Sequence, residues 1–455
     1  MRIALIAPFG LRAKGTTRAR VLPLARALAR RGHDVAVFIP PYDSPEDSDR
    51  RWWEGGVEVV NVALPAGCRR ATAGENVQDA ENLTPLPPSP TRRGGCWRAP
   101  SFVGRGLGGR WAVYRVGGAL CHLRLTWRLL RAVCAWRPDV VHVFKPKGPS
   151  GLVGVVLWTL AQCKNRFARN RSLARTFTMS PCHLVIDSDD WEGPGGWNDD
   201  PRAGYSWPQR RFFAWQERFG LSHAHAWTVT SAGLRERALG FGADPERVFV
   251  LPNGVGDFGF RISDFGFEER QSAIRNPQSA ILYTRFAGVR VADVVAIWRA
   301  VRARAPDATL TVVGRGLGGE ERELAGLPGV EVAGWVEPES LPALFARMAV
   351  AVVPWADTPA NRARSSVKVR ELMAAGLPVV AYAVGELPVT VEGGGVLVPA
   401  GDVEAFAAAV AELLADPERA RALGARAREW VLSEYAWDRL AEIALEAYAA
   451  GVGGG

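Results

Sequence analysis

The segment Ser365–Ala381, SSVKVRELMAAGLPVVA, carries the residues that are best suited to chemistry. Ser365 or Ser366 can cap a helix, and the free N–H groups at the start of such a helix bind anions. Lys368 lies on the first turn, and Glu371 lies one turn further, where its carboxylate can accept a hydrogen bond from a sugar hydroxyl. The pattern predicts an anion site beside a hydroxyl-binding carboxylate, although a capped surface helix would contain the same residues.

A second group of reactive side chains follows a predicted strand in the first half of the chain, in the sequence LVIDSDDWEG. We interpret this group as facing an acceptor molecule, and Asp190 is the best candidate to bind a hydroxyl group or to act as a base. The alternative is a strand end with solvated acids. The carboxylates are Asp187, Asp189, Asp190 and Glu192.

One histidine and two lysines lie in a neighbouring strand and loop, DVVHVFKPKG. His142 is a candidate catalytic group, and a buried histidine with satisfied nitrogens is the alternative interpretation. Lys145 and Lys147 are expected to meet an anionic acceptor or the phosphate groups of a second ligand.

These residues lie among strands that alternate with helices, a pattern typical of parallel sheets. Because ligands of such sheets bind at the carboxyl ends of the strands, we expect the site in a cleft between two sheets. The predicted fold is α/β, with two tandem Rossmann-like parallel-sheet domains that face a cleft and join near residues 252–254. The first-domain strands are 3–7, 34–40, 57–62 and 140–144, and the second-domain strands are 280–284, 309–313, 331–333, 349–353, 379–382 and 396–398.

The predicted domains have the following limits. Residues 1–254 form the first, acceptor-side domain, in which 70–110 and 164–180 are inserted loops rich in Pro, Gly or basic residues. Residues 255–280 form a linker with short internal duplications. Residues 281–430 form the second domain, and 431–455 form a helix that returns to the first domain, followed by a tail.

Composition limits the class of protein. The chain has 455 residues, of which 48% are hydrophobic and 23% charged, as in ordinary globular proteins. Six cysteines without C-x-x-C spacing predict neither a zinc site nor a disulfide framework, which fits a reducing compartment. The longest apolar stretch, residues 148–163, is shorter than the ~18–20 residues that span a bilayer. We therefore expect a cytoplasmic protein.

The basic charge is concentrated in the first part of the chain. Residues 1–180 contain 29 Lys and Arg but 11 Asp and Glu, whereas the whole chain has a net charge of +9. Arg124, Arg128 and Arg131 share one face of an amphipathic helix, which predicts a peripheral contact with an anionic membrane surface. An ordinary surface helix is the alternative. Nucleic-acid binding is not expected, because no aromatic residues are interleaved with the basic ones.

The segment from Ser365 resembles retaining glycosyltransferases of the GT-B fold, of the family-4 type. The family carries a Glu, seven residues and a second Glu at the start of such a helix, followed by Gly and Pro-Val-Val. Glu371 matches the second Glu, which binds the donor ribose in the family, whereas Ala363 stands where the first Glu contacts the donor sugar. The chain is more similar to the branch with Ser-x-x-Lys-x-x-Glu.

The resemblance extends to other positions and implies a nucleotide-diphosphate-sugar donor. Arg285 and Arg290 match the basic pair that neutralises the diphosphate, a role that suits guanidinium groups. Gly15 and Thr16 match the loop near the donor phosphates. Further similar segments are TVVGRG, which contains Gly314, and VAGWV, which ends at Val336 and lies where the family binds the base.

The resemblance implies transfer of a sugar, with retention of configuration, to a saccharide or lipid-linked acceptor in glycolipid, polysaccharide or glycoconjugate synthesis. It implies no metal and no further cofactor, although a D-x-D sequence holds a divalent metal in the GT-A fold. One alternative is a non-catalytic GT-B relic. The other is a nicotinamide-dependent oxidoreductase, because Gly314, Gly316 and Gly319 spell G-x-G-x-x-G after a strand.

Overall fold

The computed structural model describes residues 1–11, 15–65, 108–167, 182–255 and 277–450. Two open sheets of largely parallel strands lie in tandem within these residues, so the predicted fold class is confirmed. The central strands are built from apolar runs that are buried on both faces, as parallel sheets with helices on both sides require, whereas the edge strands β3, β11 and β14 are partly exposed.

The first sheet has the strand order β3-β4-β2-β1-β5-β6-β7-β8. Every pairing is parallel except that of β3 with β4. The order reverses between β1 and β5, which makes the carboxyl ends of these strands the expected ligand edge. The strands are β1 Arg2–Ile6, β2 Asp34–Ile39, β3 Arg51–Glu54, β4 Val57–Asn61, β5 Val140–Phe144, β6 His183–Ser188, β7 Ala226–Val229 and β8 Val248–Val250.

Helices cover both faces of this sheet. One face is covered by α1 and by the last helix of the chain, α13, and the other by the adjacent helices α2, α3 and α4. No helix in the described part of the chain is long and apolar enough to cross a membrane. The first-domain helices are α1 Leu22–Arg30, α2 Gly108–Trp136, α3 Pro149–Phe167, α4 Trp207–Ser222 and α5 Ala232–Gly240, and α13 is Trp437–Ala449.

The second sheet has the order β11-β10-β9-β12-β13-β14 and is wholly parallel, with its order reversing between β9 and β12. Its strands are β9 Ser279–Tyr283, β10 Thr309–Val313, β11 Val330–Gly334, β12 Val350–Val353, β13 Val379–Tyr382 and β14 Gly395–Val398. The helices are α6 Val291–Arg304, α7 Leu341–Phe345, α8 Pro359–Arg362, α9 Val367–Ala374, α10 Leu387–Thr390, α11 Val403–Ala415 and α12 Pro417–Glu434.

Some predicted boundaries are wrong. Helix α3 continues to Phe167, because lysine and arginine are good helix formers and do not end a helix. Helix α2 begins at Gly108, inside the predicted insertion, and β9 begins at Ser279, inside the predicted linker. Cys121 is disulfide-bonded, against the expectation from cysteine spacing. Residues 66–107, 168–181, 256–276 and 451–455 of the predicted loops and tail lie outside the described residues.

A buried ion pair lies beneath the ligand edge of the first sheet. Arg20, on the turn before α1, donates from Nε to Asp187 Oδ1 at 2.9 Å and also bonds Oδ2, and both side chains are inaccessible to solvent. The guanidinium also donates to the carbonyl oxygens of Leu251 and Pro252 and to Asn253 Oδ1, at 2.9 to 3.2 Å. Arg20 therefore joins the first sheet to the segment that connects the two domains.

We expect Arg20→Met to lower the free energy of unfolding of the first domain by about 3–5 kcal/mol, because Asp187 would remain as an unpaired buried charge. Urea denaturation checks this result. The control is Arg30→Met on α1, whose exposed ion pair with Asp438 should contribute less than about 1 kcal/mol. Equal losses in the two variants would contradict the role given to Arg20.

Candidate active site

Loops at the carboxyl edges of the two sheets meet at the boundary between the domains, which we call the cleft, and direct hydrogen bonds join them. Ser231 Oγ donates to the carbonyl oxygen of Ala363 at 2.7 Å. The N–H of Ala232, at the start of α5, donates to Glu386 Oε1 at 2.8 Å. Loops from both sheets therefore meet at one place, as the topology predicts.

Helix α9 begins at this cleft, and the structure decides which serine caps it. Ser366 is the N-cap and accepts a hydrogen bond from the N–H of Val369. Lys368 lies on the first turn, with its Nζ 5.4 Å from the centre of the Tyr283 ring. Glu371 is buried and accepts a hydrogen bond from Tyr283. Burial and Glu371 together raise the pKa of Tyr283, so the phenol stays protonated and can hold the carboxylate in place.

Ser365 has a different role from Ser366. Its Oγ accepts hydrogen bonds from the N–H of Asn253 at 3.2 Å and from Arg370 Nη1 at 3.0 Å. Its carbonyl oxygen accepts from Asn253 Nδ2 at 2.8 Å. Arg370 is fully buried and stacks on the Tyr435 ring at 4.2 Å. These contacts fix the chain immediately before α9 against the interdomain connection.

The two predicted diphosphate-binding arginines differ in their surroundings. Arg285 is exposed at the carboxyl end of β9, and no ion pair of Arg285 occurs within the described ranges. Arg290 is also exposed, but its Nε pairs with Asp293 Oδ2 at 2.8 Å. The charge of Arg290 is therefore partly offset within the first turn of α6, whereas Arg285 has its charge available for an anion.

The glycine-rich loop after β10 is not built to bind a dinucleotide. Gly314 has a φ of +111°, and a Cβ there would lie 1.9 Å from the carbonyl oxygen of Thr284, so the position requires glycine for packing. The N–H groups of Gly316 and Gly318 donate at 2.9 Å to Glu321 and Glu320. These amides cannot hold a pyrophosphate while carboxylates occupy them, which argues against the oxidoreductase alternative.

The predicted base-binding position lies beside this loop. Val336 lies two residues after the end of β11 and is packed against the second core. Its neighbour Trp335 is 43% exposed, and its indole N–H donates to Glu337 Oε1 at 3.0 Å. An exposed aromatic face next to Gly314 fits a position where a flat base could stack.

On the first-domain side, the predicted phosphate loop contacts the acidic segment. Gly15 begins a helical turn by accepting a hydrogen bond from the N–H of Ala19 at 2.9 Å. Thr16 Oγ1 donates to Asp189 Oδ2 at 3.1 Å. The structure therefore places two predicted site segments, from the ends of β1 and β6, against each other.

The lysines pair with the acidic segment, so their predicted role towards an external anion is wrong. Lys145 Nζ contacts Asp190 and lies 3.1 Å from Glu192 Oε1 and 3.4 Å from Asp189 Oδ1. Lys147 Nζ lies 2.8 Å from Glu192 Oε2. Burial raises the pKa of Asp190, and the neighbouring carboxylates add to this effect against the opposing charge of Lys145. Asp190 keeps about a third of its side chain exposed and can reach a ligand.

The predicted catalytic role of His142 is wrong. The residue lies in the middle of β5 rather than at its end and is fully buried. Its Nδ1 bonds the hydroxyl of Tyr448 on α13 at 2.9 Å, and its Nε2 bonds Thr228 Oγ1 at 3.0 Å. Burial and the nearby Arg20 hold the pKa of His142 well below its usual value, so the ring is neutral and structural.

Sequence reasoning missed one cation of the cleft. Arg364 lies between two rings, with its guanidinium 4.4 Å from the centre of Trp197 and 4.9 Å from that of Trp355. Trp197 belongs to the first domain and Trp355 to the second. No local spacing signals this contact, because Trp197 and Arg364 are far apart in the chain. The one available signal was the position of Arg364 in the sequence, between Ala363 and Ser365 of the family motif.

The sequence predicts no bound metal. In the structure, a lysine ammonium group lies among the carboxylates of the acidic segment, in the position that a metal ion bound by this segment would have to occupy. The ammonium group of Lys145 lies among the oxygens of Asp189, Asp190 and Glu192. In the ranges that the structure describes, no group of three or more His, Cys, Asp or Glu side chains is arranged to hold a metal ion. Independence of a metal stays a prediction.

Comparisons with known proteins match both halves of the chain. Residues 15–254 match the glycosyl transferase 4-like domain, and residues 283–416 match the glycosyl transferases group 1 family. The 2-deoxystreptamine N-acetyl-D-glucosaminyltransferase of Streptomyces fradiae is 32% identical over 70% of this chain and 72% of its own length. A GDP-mannose-dependent alpha-(1-6)-phosphatidylinositol monomannoside mannosyltransferase of Mycobacterium tuberculosis is 38% identical over 31% of this chain. The chain covers 39% of the length of that mannosyltransferase.

Solved structures share the fold at low sequence identity. Sucrose-phosphate synthase from Thermosynechococcus elongatus has a TM-score of 0.62 and 22% identity over 99% of this chain and 98% of its own. Anabaena HepE in complex with UDP and glucose has a TM-score of 0.55 and 15% identity, over 99% of this chain and all of its own. These neighbours are GT-B glycosyltransferases. The chain is therefore a member of the glycosyl transferases group 1 family, with a glycosyl transferase 4-like first domain and the GT-B fold.

Proposed function

We propose that this enzyme moves a hexosyl group from a nucleoside diphospho-sugar to an acceptor hydroxyl, with retention of the anomeric configuration. One observation carries the proposal. Lys368 and Glu371 on α9 lie beside Tyr283, two residues before Arg285, and Arg364 lies within electrostatic reach of both Arg285 and the partly exposed Asp190 of the opposite domain. A diphosphate and a hydroxyl are the ligands that suit these two walls.

The second domain binds the donor. The side chains of Arg285 and Lys368 and the first N–H groups of α9 stabilise the negative charge that develops on the departing diphosphate. Glu371, held by Tyr283, accepts hydrogen bonds from the ribose hydroxyls. Breaking the bond between the anomeric carbon and the phosphate oxygen leaves its electron pair on the diphosphate.

The first domain binds the acceptor. Asp190 accepts the proton of the attacking hydroxyl, and its raised pKa suits a general base. Gly15 and Thr16 lie beside this segment and line the approach of the donor phosphates. Donor cations and the acceptor carboxylate converge in one cleft, which favours attack from the face that the diphosphate leaves.

The donor is proposed as a class. The relative from Mycobacterium tuberculosis is named for GDP-mannose, whereas the HepE structure holds UDP and glucose. A nucleoside diphosphate and a hexose are common to these two names. For this enzyme we propose a donor of that class, with no further cofactor and no metal. The acceptor is a saccharide or a lipid-linked compound in glycolipid, cell-surface polysaccharide or glycoconjugate synthesis, made on the cytoplasmic side of the membrane.

Nucleotide binding tests the donor site. We expect UDP, GDP or ADP to raise the thermal unfolding midpoint by several degrees, because a ligand at about 100 times its Kd stabilises a protein by roughly 2.7 kcal/mol. Glu371→Gln should reduce the shift, whereas Glu339→Gln, at an exposed position on the second domain, should not. NAD should give no shift. A shift with NAD alone, or with no nucleotide, would contradict the proposal.

The nucleotide found in this way allows the roles of Asp190 and His142 to be separated. We expect Asp190→Asn to lower kcat about 100-fold, since general base catalysis is lost. His142→Gln should lower the unfolding midpoint but change kcat of the folded enzyme by less than about threefold. Steady-state kinetics and thermal unfolding measure the two effects. Loss of kcat in His142→Gln without loss of stability would reverse the assignment.

The helical face of the first domain suits an anionic bilayer. By sequence, α2, α3 and α4 contain ten Lys and Arg and one acidic residue, Glu217. Glu217 is buried and paired with Arg237, so it adds no negative charge to the surface. Arg124 and Arg131 on α2 are exposed, whereas the third predicted residue, Arg128, donates to the carbonyl oxygen of Ala63.

Exposed apolar side chains flank these arginines on both outer helices. Leu123 and Trp127 on α2 are 57% and 60% exposed, and Trp207 and Trp215 on α4 are 64% and 45% exposed. Tryptophans beside basic residues are typical of peripheral membrane contacts. We therefore place the enzyme on the inner membrane surface through this face, which would bring lipid-linked acceptors to the cleft.

Vesicle binding tests the membrane contact. We expect the enzyme to bind phosphatidylglycerol vesicles more tightly than phosphatidylcholine vesicles, and Arg124→Gln with Arg131→Gln to weaken binding roughly 30-fold, at about 1 kcal/mol per arginine. The control carries Arg421→Gln and Arg426→Gln, two exposed positions on α12. Equal binding to both lipids, or equal effects of the two double variants, would contradict the assignment.

A further inference from the structure

Arg364 lies between the two elements that are built to bind the donor diphosphate. Its Nη1 donates to the carbonyl oxygen of Ala287 at 3.0 Å, in the loop that carries Arg285. Two residues later in the chain, Ser366 caps α9. The guanidinium is therefore held beside the β9 loop, at the approach to the anion-binding end of α9.

The backbone of Arg364 is fixed on both sides by the first domain. The preceding carbonyl, of Ala363, accepts from Ser231 Oγ at 2.7 Å, and the side chain of Ala363 packs in the core of the first domain. The following residue, Ser365, is held by Asn253. The position of Arg364 thus depends on contact between the domains.

The guanidinium group of Arg364 packs against one ring from each domain, Trp197 and Trp355. Its one hydrogen bond described above uses Nη1, so other N–H groups can donate to a ligand. In the part of the chain that the structure describes, no carboxylate lies within ion-pair distance of its guanidinium. Burial lowers the pKa of Arg364 to about 10, with Arg285 adding to and Asp190 opposing the effect, so the group remains charged at neutral pH. A charged, half-buried guanidinium without a carboxylate partner is suited to an anionic ligand.

We propose that Arg364 binds the β-phosphate of the donor together with Arg285 and acts as a catalytic residue that is in place only when the domains are in contact. When the bond between the anomeric carbon and the phosphate oxygen breaks, the electron pair stays on the diphosphate, and Arg364 stabilises the added charge. The acceptor oxygen forms the new bond to the anomeric carbon, and its proton goes to Asp190. The inference rests on the proposed function and adds a residue to it.

The contact between Trp197 and Arg364 would couple the acceptor-binding segment of the first domain to the departing diphosphate. Trp197 lies on the acceptor-side segment that follows Asp190, and it forms one wall of the slot that holds Arg364. Displacement of this segment would remove one of the two rings and free the guanidinium to move. Trp197 is accordingly a positioning residue, and it acts on the diphosphate through Arg364.

Calorimetry with nucleoside monophosphates and diphosphates tests the proposal. The full chain is titrated with UMP and UDP, GMP and GDP, and AMP and ADP. In the wild type we expect the diphosphate of the preferred base to bind at least 10-fold more tightly than the monophosphate. Arg364→Met should reduce this preference several-fold and leave monophosphate binding nearly unchanged, because one of the contacts to the β-phosphate is lost while that of Arg285 remains. Arg364→Lys should recover part of it.

Two further variants keep the outcome interpretable. Arg362→Met removes an exposed arginine two residues away, which pairs with Asp357, and should leave the preference at the wild-type value. Trp197→Leu should reduce the preference without removing a charge. If wild type binds diphosphates and Arg364→Met keeps the full preference, the role of Arg364 is overturned while the proposed function stands. If wild type binds no nucleotide, the proposed function fails, and this inference fails with it.

Discussion

Arg20 and Asp187 form an ion pair from which solvent is excluded, so neither charge can be removed without leaving the other unpaired in the core. The carboxylate also accepts a hydrogen bond from Thr228 at 2.6 Å, and Thr228 bonds His142, which bonds Tyr448 on the last helix. A single polar network therefore ties the first sheet to α13. Because such a network tolerates few alternative arrangements, it fixes the strands of the first sheet and α13 relative to one another.

The guanidinium group of Arg20 also contacts the connection between the domains, and this contact helps to fix the start of α9. Arg20 bonds Asn253, and Asn253 in turn holds Ser365 through its backbone and side-chain amide groups. Arg370, a buried cation, bonds Ser365 from the other side. The N-terminus of α9, where the diphosphate would bind, is thus held by residues of both domains, and small displacements of the domains would change the geometry of the anion site.

The parts of the molecule that depend on local sequence could be predicted, and those that depend on distant pairs could not. The apolar runs gave β5, β10 and β13 with their exact limits, and the serine, lysine and glutamate spacing gave α9. The predicted catalytic role of His142 was wrong because its hydrogen-bond partners, Thr228 and Tyr448, lie on distant elements, and residue spacing does not show that these elements meet. The prediction for Lys145 was wrong for the same reason, since the carboxylates that neutralise it, Asp189, Asp190 and Glu192, lie more than 40 residues away in the chain.

Ala363 shows how a departure from a family motif can be understood through packing. A glutamate at this position would have to occupy the site where the Ala363 methyl group is buried in the core of the first domain, which would be costly without a partner. The domains pack closely here because the side chain is small, and the carbonyl of Ala363 and the two rings around Arg364 make the contact. Where the family motif has a carboxylate, this chain has a small side chain that allows a close interdomain contact beside the cation Arg364. Under the proposed function, residue 363 would contribute no carboxylate towards the sugar hydroxyls, and the neighbouring Arg364 would stabilise the departing diphosphate.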